Sequence, residues 1–290
     1  MTPQTTRIGF IGIGVMGKSM AGHLMQAGYP LHIYTRTPAR ARELLASRAI
    51  QAGSPAEIAR QCNVIITIVG FPADVEAVYF GADGILTAVQ KGTYLIDMTT
   101  SSPELAVAIS DFAGEKGAFA LDAPVSGGDV GAREARLSIM VGGDKAVFDA
   151  TLPLLKLMGR NIVYQGPAGS GQHTKMANQI AIAAGMLGVC EALRYAQKAG
   201  LDQKTVLKSI ESGAAGSWSL SNLGPRMIAG NFEPGFFVKH FIKDMTIAVK
   251  SAQELGLETP GLELALARYR ELAEQGGADL GTQALYKLYD

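Results

Sequence analysis

The chain has 290 residues, which is long enough for two domains of ordinary size. Its composition, 48% hydrophobic and 18% charged, is typical of a globular protein with a large core and excludes a disordered or fibrous chain. Because 26 basic residues balance 26 acidic ones and no long run of one sign occurs, we expect a small-molecule ligand and neither nucleic acid nor a membrane as partner.

The first predicted element is a short apolar strand, Ile8–Ile11, which leads into a glycine turn and then into a helix that ends near Gly28. The turn has the spacing G-x-G-x-x-G. Its first glycine permits a tight turn, the second lets a pyrophosphate approach the backbone, and the third lets the helix pack against the strand. A pyrophosphate would accept hydrogen bonds from the free N–H groups of the helix N-terminus. The sequence therefore predicts a dinucleotide site formed by Gly12, Ile13, Gly14, Val15, Met16 and Gly17.

The second predicted strand, Leu31–Thr35, bears on which dinucleotide is bound. An NAD-specific unit normally ends this strand with Asp or Glu, which holds the ribose hydroxyls. Here the strand ends in Thr35, Arg36 and Thr37, without an acid. Arg36 could stack on adenine and neutralise a 2′-phosphate, while the two threonines supply hydroxyls. This pattern favours NADP over NAD, although Arg36 could instead be a solvated turn residue.

The following segments alternate between helix and strand, which predicts a doubly wound parallel sheet. The predicted strands of this series are Val64–Val69, Tyr94–Asp97 and Ala118–Leu121. The pattern changes near Pro124, after which Leu137–Val141 and Asn161–Tyr164 are predicted as two more strands. The predicted helices are Pro38–Ser47, a helix with Ser102 as N-cap and Pro103 at its first position, and Lys145–Met158.

Strand signals stop after Gly166–Gly171, and helical periods account for nearly all of the remaining chain. We therefore predict an α/β protein with a Rossmann domain of residues 1–165, followed by an all-helical domain of residues 166–290 for substrate binding and oligomerisation. The low-polarity segment Met176–Leu193 predicts a helix buried in its own domain or against a second subunit, and its polar residues argue against a membrane span. The predicted helices are Lys175–Lys198, Gln203–Glu211, Leu220–Ala229, Phe241–Leu255 and Leu262–Glu274.

One segment with candidate chemistry follows the predicted strand Ala118–Leu121. Ser126, Gly127 and Gly128 lie beyond its carboxyl end, where open α/β sheets bind ligands. The serine and the bare N–H groups of the glycines form a small nest that suits a carboxylate. Read alone, the same three residues could equally form a structural turn.

A second such segment begins the long helix. Lys175 and Asn178 are three residues apart and share a helix face. A lysine with a reference pKa of about 10.4 is a poor base at neutral pH, but burial and a positively charged nicotinamide both lower that pKa. Lys175 is therefore the candidate general acid and base. His173 and His240 are alternatives.

Cysteine and histidine usage predicts neither disulfides nor a metal site. Cys62 and Cys190 are far apart, and each is better explained as a small buried hydrophobe than as a nucleophile. No metal-ligand spacing occurs. Met1–Thr6 is too short and polar for a signal peptide, and we expect a cytoplasmic protein.

Six motifs in this order resemble the β-hydroxyacid dehydrogenase family, which includes 3-hydroxyisobutyrate dehydrogenase and tartronate semialdehyde reductase. The similarity covers essentially the whole chain. It implies a Rossmann domain, an all-helical second domain, and NAD(P)-linked interconversion of a short β-hydroxy acid and its semialdehyde in a homodimer or homotetramer. The motifs are FIGIGVMGKSMAGHL, LIDMTT, DAPVSGG, MVGG, GSGQHTKMANQ and FIKDM.

The resemblance also implies roles for individual residues. It places the catalytic lysine at Lys175 and the substrate-orienting asparagine most nearly at Asn178. Ser126, Gly127 and Gly128 correspond to the loop that binds the substrate carboxylate. On the cofactor side it implies Thr100 near the nicotinamide and Lys243 in contact with the cofactor, and it implies that Phe236 closes the substrate pocket.

The chain departs from the family pattern at two places. Gln179 stands where many members have asparagine four residues after the lysine, and Thr35-Arg36-Thr37 stands where members that reduce glyoxylate-type substrates often have Asn-Arg-Thr. Two other functions stay open. Imine reductases share the fold and the fingerprint but generally lack the lysine, and a non-catalytic NAD(P)-binding module could sense redox state. The identity of the hydroxy acid depends on pocket residues, with Gly213–Leu220 as candidates.

Overall fold

The structure, a computed structural model, describes residues 1–289 and comprises two compact units. The first unit is Met1–Lys175 and the second begins at Met176. The sequence places the boundary at residue 165, before the long helix, whereas the structure divides the chain inside that helix.

The first unit is built on a nine-stranded sheet, with helices between all successive strands except β6 and β7. The strands are β1 Ile8–Ile11, β2 Leu31–Tyr34, β3 Ile50–Gln51, β4 Val64–Thr67, β5 Tyr94–Asp97, β6 Phe119–Asp122, β7 Val125–Ser126, β8 Leu137–Gly143 and β9 Gly159–Gly166. The helices are α1 Val15–Gln26, α2 Arg42–Ala46, α3 Pro55–Gln61, α4 Pro72–Phe80, α5 Pro103–Glu115, α6 Gly128–Arg133 and α7 Lys145–Leu155.

The strand order is β3-β2-β1-β4-β5-β6-β8-β7, with β9 beside β8. Strands β1 to β6 are parallel and follow the Rossmann order, which confirms the predicted fold class. Strand β8 runs antiparallel to β6, a direction for which the sequence makes no prediction. Between β6 and β8 the chain forms only the two-residue strand β7 and the six-residue helix α6. Strand β7 runs on from β6 and, like β6, pairs antiparallel with β8, so β8 is the returning arm of a hairpin.

Apolar strands and capped helices explain why these elements form. Every residue of β1 and β4 is buried, as expected of strands covered on both faces. Helix α5 begins as predicted, because the Ser102 hydroxyl accepts a hydrogen bond from the Leu105 N–H at 3.2 Å and Pro103 takes the first position. The predicted helix Pro38–Ser47 is instead a 3₁₀ turn, Pro38–Ala41, followed by α2.

The second unit is helical apart from one isolated β-bridge within the described residues. Its core contains Met186, Leu193, Phe241 and Tyr269. Its helices are α8 Ser170–Lys198 (which begins in the first unit), α9 Gln203–Ile210, α10 Trp218–Ile228, α11 Val238–Glu254 and α12 Pro260–Leu272, and a 3₁₀ helix covers Thr282–Tyr289.

Helix α8 has two different apolar faces in the second unit. Large residues such as Met186 and Leu193 are buried in the core, whereas the small residues Ala181, Gly185 and Gly188 are exposed. By length and composition the helix could cross a membrane, since its most apolar window has a mean hydropathy of 1.4. Core helices of globular proteins pass the same test, and the buried face of α8 is of that kind.

Candidate functional site

The glycine turn after β1 contains two glycines that the fold itself requires. Gly12 has φ +102°, and a Cβ there would lie 2.0 Å from the carbonyl oxygen of Ile68. A Cβ on Gly17 would lie 2.0 Å from the carbonyl oxygen of Gly12. These contacts agree with the roles predicted for the first and third glycines, a tight turn and close packing of α1 against the strand.

Gly14 differs from both, because neither its backbone conformation nor its packing requires a glycine. Its φ is −89°, and a Cβ would meet no atom within 4 Å. The open space lies at the N-terminus of α1, where no side chain caps the helix. Free N–H groups and a missing side chain suit the close approach of a phosphate. The turn therefore fits the pyrophosphate of a dinucleotide.

At the end of β2, Arg36 forms an ion pair that the sequence does not reveal. Its Nη1 donates to Oδ1 of Asp74 at 2.7 Å. Asp74 lies in the first turn of α4, and its Oδ2 accepts a hydrogen bond from the Phe71 N–H at 3.1 Å. Thr35 is also engaged, since its hydroxyl accepts from the Thr37 N–H at 3.2 Å.

A buried carboxyl group, Asp97, lies at the end of β5. The Thr67 hydroxyl donates to its Oδ1 at 2.7 Å and the Thr99 N–H donates to the same oxygen at 3.1 Å. Burial raises the pKa of Asp97 to about 6, although these hydrogen bonds oppose the shift. Through its hydrogen bond with the Thr99 N–H, Asp97 holds the start of the segment that contains Thr100, the residue predicted to lie near the nicotinamide.

Gln172, which sequence reasoning missed, holds both sides of Thr100. Its Oε1 accepts from the Ser101 N–H at 3.0 Å, and its Nε2 donates to the Thr99 carbonyl oxygen at 2.7 Å. The Thr99 hydroxyl in turn accepts from the Val69 N–H at 3.0 Å, which ties the segment to the end of β4. Gln172 is fully buried in the first turn of α8, three residues before Lys175.

Asp122 fixes the start of α8 from the end of β6. Its Oδ1 accepts from the Gly169 N–H and its Oδ2 from the Gln172 N–H, both at 2.8 Å. Burial raises the pKa of this carboxyl, while the backbone hydrogen bonds act in the opposite direction. A carboxylate at a helix N-terminus is favourable. Lys175 follows in the next turn and is buried, with 6% of its surface exposed.

The predicted carboxylate loop adopts a glycine-dependent conformation. Ser126 ends β7 opposite Ser138, and the next two residues have positive φ, +130° at Gly127 and +62° at Gly128. Gly127 is exposed and Ser126 is half-buried. A Cβ on Gly127 would approach Leu137 Cδ2 at 3.3 Å. Both glycines are therefore needed for this turn, which leaves the N–H groups free of side-chain cover.

In the second unit, four polar residues form a chain of contacts. The Asn178 Nδ2 donates to Gln179 Oε1 at 2.6 Å, and the Gln179 Nε2 donates to Oδ2 of buried Asp244 at 2.6 Å. Lys243 Nζ lies 2.9 Å from Asp244 Oδ1. Gln179, where many family members have asparagine, thus orients Asn178. Phe236 is half-buried, with its ring 5.6 Å from that of Phe241.

The remaining candidates are less suited to catalysis. His173 is exposed on α8. His240 is half-buried, and burial together with the charge of Lys243 lowers its pKa. Burial raises the pKa of both Cys62 and Cys190 to about 12, as befits small core residues. Residues 1–289 contain no group of three or more His, Cys, Asp or Glu side chains placed to hold a metal ion.

Family models match nearly the whole chain. Residues 7–166 match the NAD-binding domain of 6-phosphogluconate dehydrogenase, and residues 169–289 match the NAD-binding domain of NADP-dependent 3-hydroxyisobutyrate dehydrogenase. These two matches meet near the start of α8.

Individual relatives cover the same length. The uncharacterized oxidoreductase YkwC of Bacillus subtilis is 61% identical over 97% of this chain and 98% of its own. The 2-hydroxy-3-oxopropionate reductase of Escherichia coli is 40% identical over 96% of this chain and 95% of its own. A solved structure of Mycobacterium tuberculosis 3-hydroxyisobutyrate dehydrogenase with L-serine has a TM-score of 0.90 at 29% identity, covering 99% of both chains.

Proposed function

The chain belongs to the β-hydroxyacid dehydrogenase family, and from that premise we propose that it interconverts a short β-hydroxy acid and its semialdehyde, with Lys175 as general acid and base. One observation carries the proposal. Lys175 is a buried lysine on a helix whose first turn is hydrogen-bonded to Asp122 at the end of β6 and to the segment after β5. Ligands of such sheets bind at the carboxyl ends of the strands.

The cofactor, NAD(P), accepts or supplies the hydride when it is bound. The glycine turn would hold its pyrophosphate through the N–H groups at the start of α1. Thr100 and Lys243 are proposed contacts on the basis of the family resemblance. Arg36, with no acid at the end of β2, favours NADP over NAD, since a guanidinium pairs with a 2′-phosphate.

The proton is handled by Lys175 at Nζ. In the oxidation direction, the neutral amine accepts the proton of the substrate hydroxyl while a hydride leaves the carbon that bears it. In the reduction direction, the ammonium polarises the aldehyde oxygen and donates the proton to it. The alcohol thus loses one proton and one hydride in total, and the lysine returns to its starting form by exchange with solvent.

The substrate is proposed to carry a carboxylate bound by Ser126 and the N–H groups of Gly127 and Gly128. The positive φ of both glycines, with no side chain over the turn, and the exposure of Gly127 support this site. Two relatives whose names state a substrate, 2-hydroxy-3-oxopropionate reductase and 3-hydroxyisobutyrate dehydrogenase, support an acid of this class. Asn178, one turn after Lys175 on α8, is proposed to orient the substrate, and Phe236 to border it.

We also propose a cytoplasmic homodimer or homotetramer. The exposed face of α8 supports the association, because its small residues Ala181, Gly185 and Gly188 allow another helix to approach closely.

Lys175→Ala provides the test of the proposed chemistry. We expect activity on a short semialdehyde acid to fall by about two to four decades, the span for a general acid–base group, with cofactor affinity retained. His173→Ala is the matched control, because His173 is exposed on the same helix and represents the alternative base. Lys175→Ala activity within about threefold of the wild type, or an equal loss in the control, would exclude the role of Lys175.

A substrate panel tests the class of substrate. We expect a semialdehyde acid to be preferred over an aldehyde of similar size without the carboxylate by at least about tenfold in kcat/KM. A cyclic imine in the same panel, with NADH and NADPH in turn, tests the imine reductase alternative. Equal efficiency on acid and plain aldehyde would contradict the proposed carboxylate loop.

A further inference from the structure

We propose that Asp74 is a cofactor-specificity residue, which supplies from the start of α4 the acid that the end of β2 lacks. In this role it accepts a hydrogen bond from the 2′-hydroxyl of NAD(H) and opposes the preference of Arg36 for a 2′-phosphate. The inference rests on the proposed function, because it presumes that a nicotinamide dinucleotide occupies the glycine turn.

The position of Asp74 follows from the sheet order. Strand β1 lies between β2 and β4, and all three are parallel, so their carboxyl ends meet at one edge of the sheet. Arg36 follows β2 and α4 follows β4 at this edge. The Arg36 Nη1 lies 2.7 Å from Asp74 Oδ1, which brings the carboxylate to the place where Rossmann proteins recognise the 2′ position of the adenosine ribose.

The two partners differ in how firmly they are held. The Asp74 side chain is 18% exposed, and its second oxygen accepts the Phe71 N–H at 3.1 Å. The carboxylate is therefore fixed as part of the N-terminal cap of α4. The Arg36 side chain is 76% exposed, so it can turn toward a ligand while Asp74 stays in place. An ion pair with so exposed a partner adds little to stability.

A fixed carboxylate beside Arg36 acts oppositely on the two cofactors. The 2′-hydroxyl of NAD(H) can donate a hydrogen bond to it, as it does to the acid at the end of β2 in NAD-specific proteins. The 2′-phosphate of NADP(H) is attracted by Arg36 but repelled by Asp74. The site is near solvent, and salt screens the charges. Removal of this repulsion should therefore raise the affinity for NADP(H) by about 3- to 30-fold.

Asp74→Asn is the decisive variant, since an asparagine oxygen can still accept the Phe71 N–H while the negative charge is lost. We would measure dissociation constants of NADPH and NADH by titration calorimetry, without substrate. The ratio of the NADH constant to the NADPH constant should rise by about tenfold, through tighter NADPH and weaker NADH binding. Asp74→Ser, which keeps a capping oxygen, provides a second variant if the first does not fold.

Glu76→Gln is the matched control, because it removes the same charge from an exposed residue of the same helix. A ratio within about twofold of wild type in the Asp74 variants, or an equal rise in the control, overturns the role of Asp74 in cofactor specificity. The proposed function is unaffected by that outcome. Wild-type protein that binds neither dinucleotide overturns the proposed function, and the inference with it.

Discussion

Replacement of Gln172 by leucine should loosen the segment around Thr100 and slow hydride transfer. The change removes two hydrogen bonds, one of 3.0 Å from the Ser101 N–H and one of 2.7 Å to the Thr99 carbonyl oxygen. Both backbone groups then lack these partners beside buried residues. An unsatisfied buried group costs about 1–3 kcal/mol, so the free energy of unfolding should fall by about 2–6 kcal/mol.

Gln172→Glu tests the contact with the Thr99 carbonyl oxygen. A glutamate oxygen can still accept the Ser101 N–H, but a carboxylate at this fully buried position loses its hydration and repels the Thr99 carbonyl oxygen. In urea denaturation at pH 8 we expect a loss of stability at least as large as that of Gln172→Leu, and a smaller loss at low pH, where the protonated carboxyl can donate its O–H to that oxygen. Gln197→Leu is the control, because Gln197 is an exposed glutamine on the same helix, and its stability should change by less than about 0.5 kcal/mol.

Kinetics distinguish a positioning role from a purely structural one. If Gln172 sets the distance between the nicotinamide and the substrate, kcat should fall at least about tenfold, or roughly 1.4 kcal/mol. The isotope effect with cofactor deuterated at the transferred position should rise as hydride transfer becomes rate-limiting. Wild-type kcat and isotope effect in both Gln172 variants, despite lower stability, would refute the positioning role.

Further predictions concern pH, the carboxylate loop and assembly. The pKa of Asp97 in the folded protein, about 6, exceeds its ordinary value of 3.8, so its contribution to stability is present below pH 4 and lost as pH rises through 6. At about 1.4 kcal/mol per unit, the stability of Asp97→Asn relative to wild type should grow by about 2.5 kcal/mol between pH 4 and pH 8 in urea denaturation. A constant difference would contradict the raised pKa. Gly127→Val should raise KM for a carboxylated substrate, since valine disfavours the φ of +130° that this turn requires. The dissociation constant of NADPH should stay within about twofold of wild type. An unchanged KM would mean that the loop is a structural turn and does not bind the substrate. Light scattering at micromolar concentration should give a multiple of the 30.5 kDa chain mass, and a monomer would exclude the proposed association.

Local patterns in the sequence were enough for the glycine turn, most strands and the helices of the second unit. The Gly17 contact with Gly12 and the Ser102 cap depend on neighbours in the chain, which is why they could be predicted, whereas the Gly12 contact with Ile68 depends on the fold. Strand direction could not, because nothing local in Leu137–Gly143 tells a parallel from an antiparallel neighbour. The short elements β3, β7 and α6 are too brief to show a period.

The polar residues that position the site were missed for a different reason. Asp74 lies 38 residues from Arg36 in sequence, and Gln172 lies 73 residues from Thr99. Such pairs depend on which strand ends are neighbours in the sheet, and no spacing rule encodes that. Gln172 offered one signal, a polar side chain in the first turn of a helix that also carries a candidate catalytic lysine.

In the turn Gly12–Gly17, the requirement of the fold can be separated from the requirement of the ligand, because they fall on different glycines. The fold requires glycine at positions 12 and 17, whereas a Cβ at position 14 would meet no atom of the protein within 4 Å and would obstruct only a bound ligand. We expect Gly14→Val to yield a reference protein that does not bind the cofactor but keeps the thermal stability of the unliganded wild type. The shift in melting temperature that cofactor produces in wild type, and not in the reference, would then measure how far occupancy protects the enzyme. At one hundred times the dissociation constant that protection amounts to about 2.7 kcal/mol, a sizeable share of the stability of an ordinary domain.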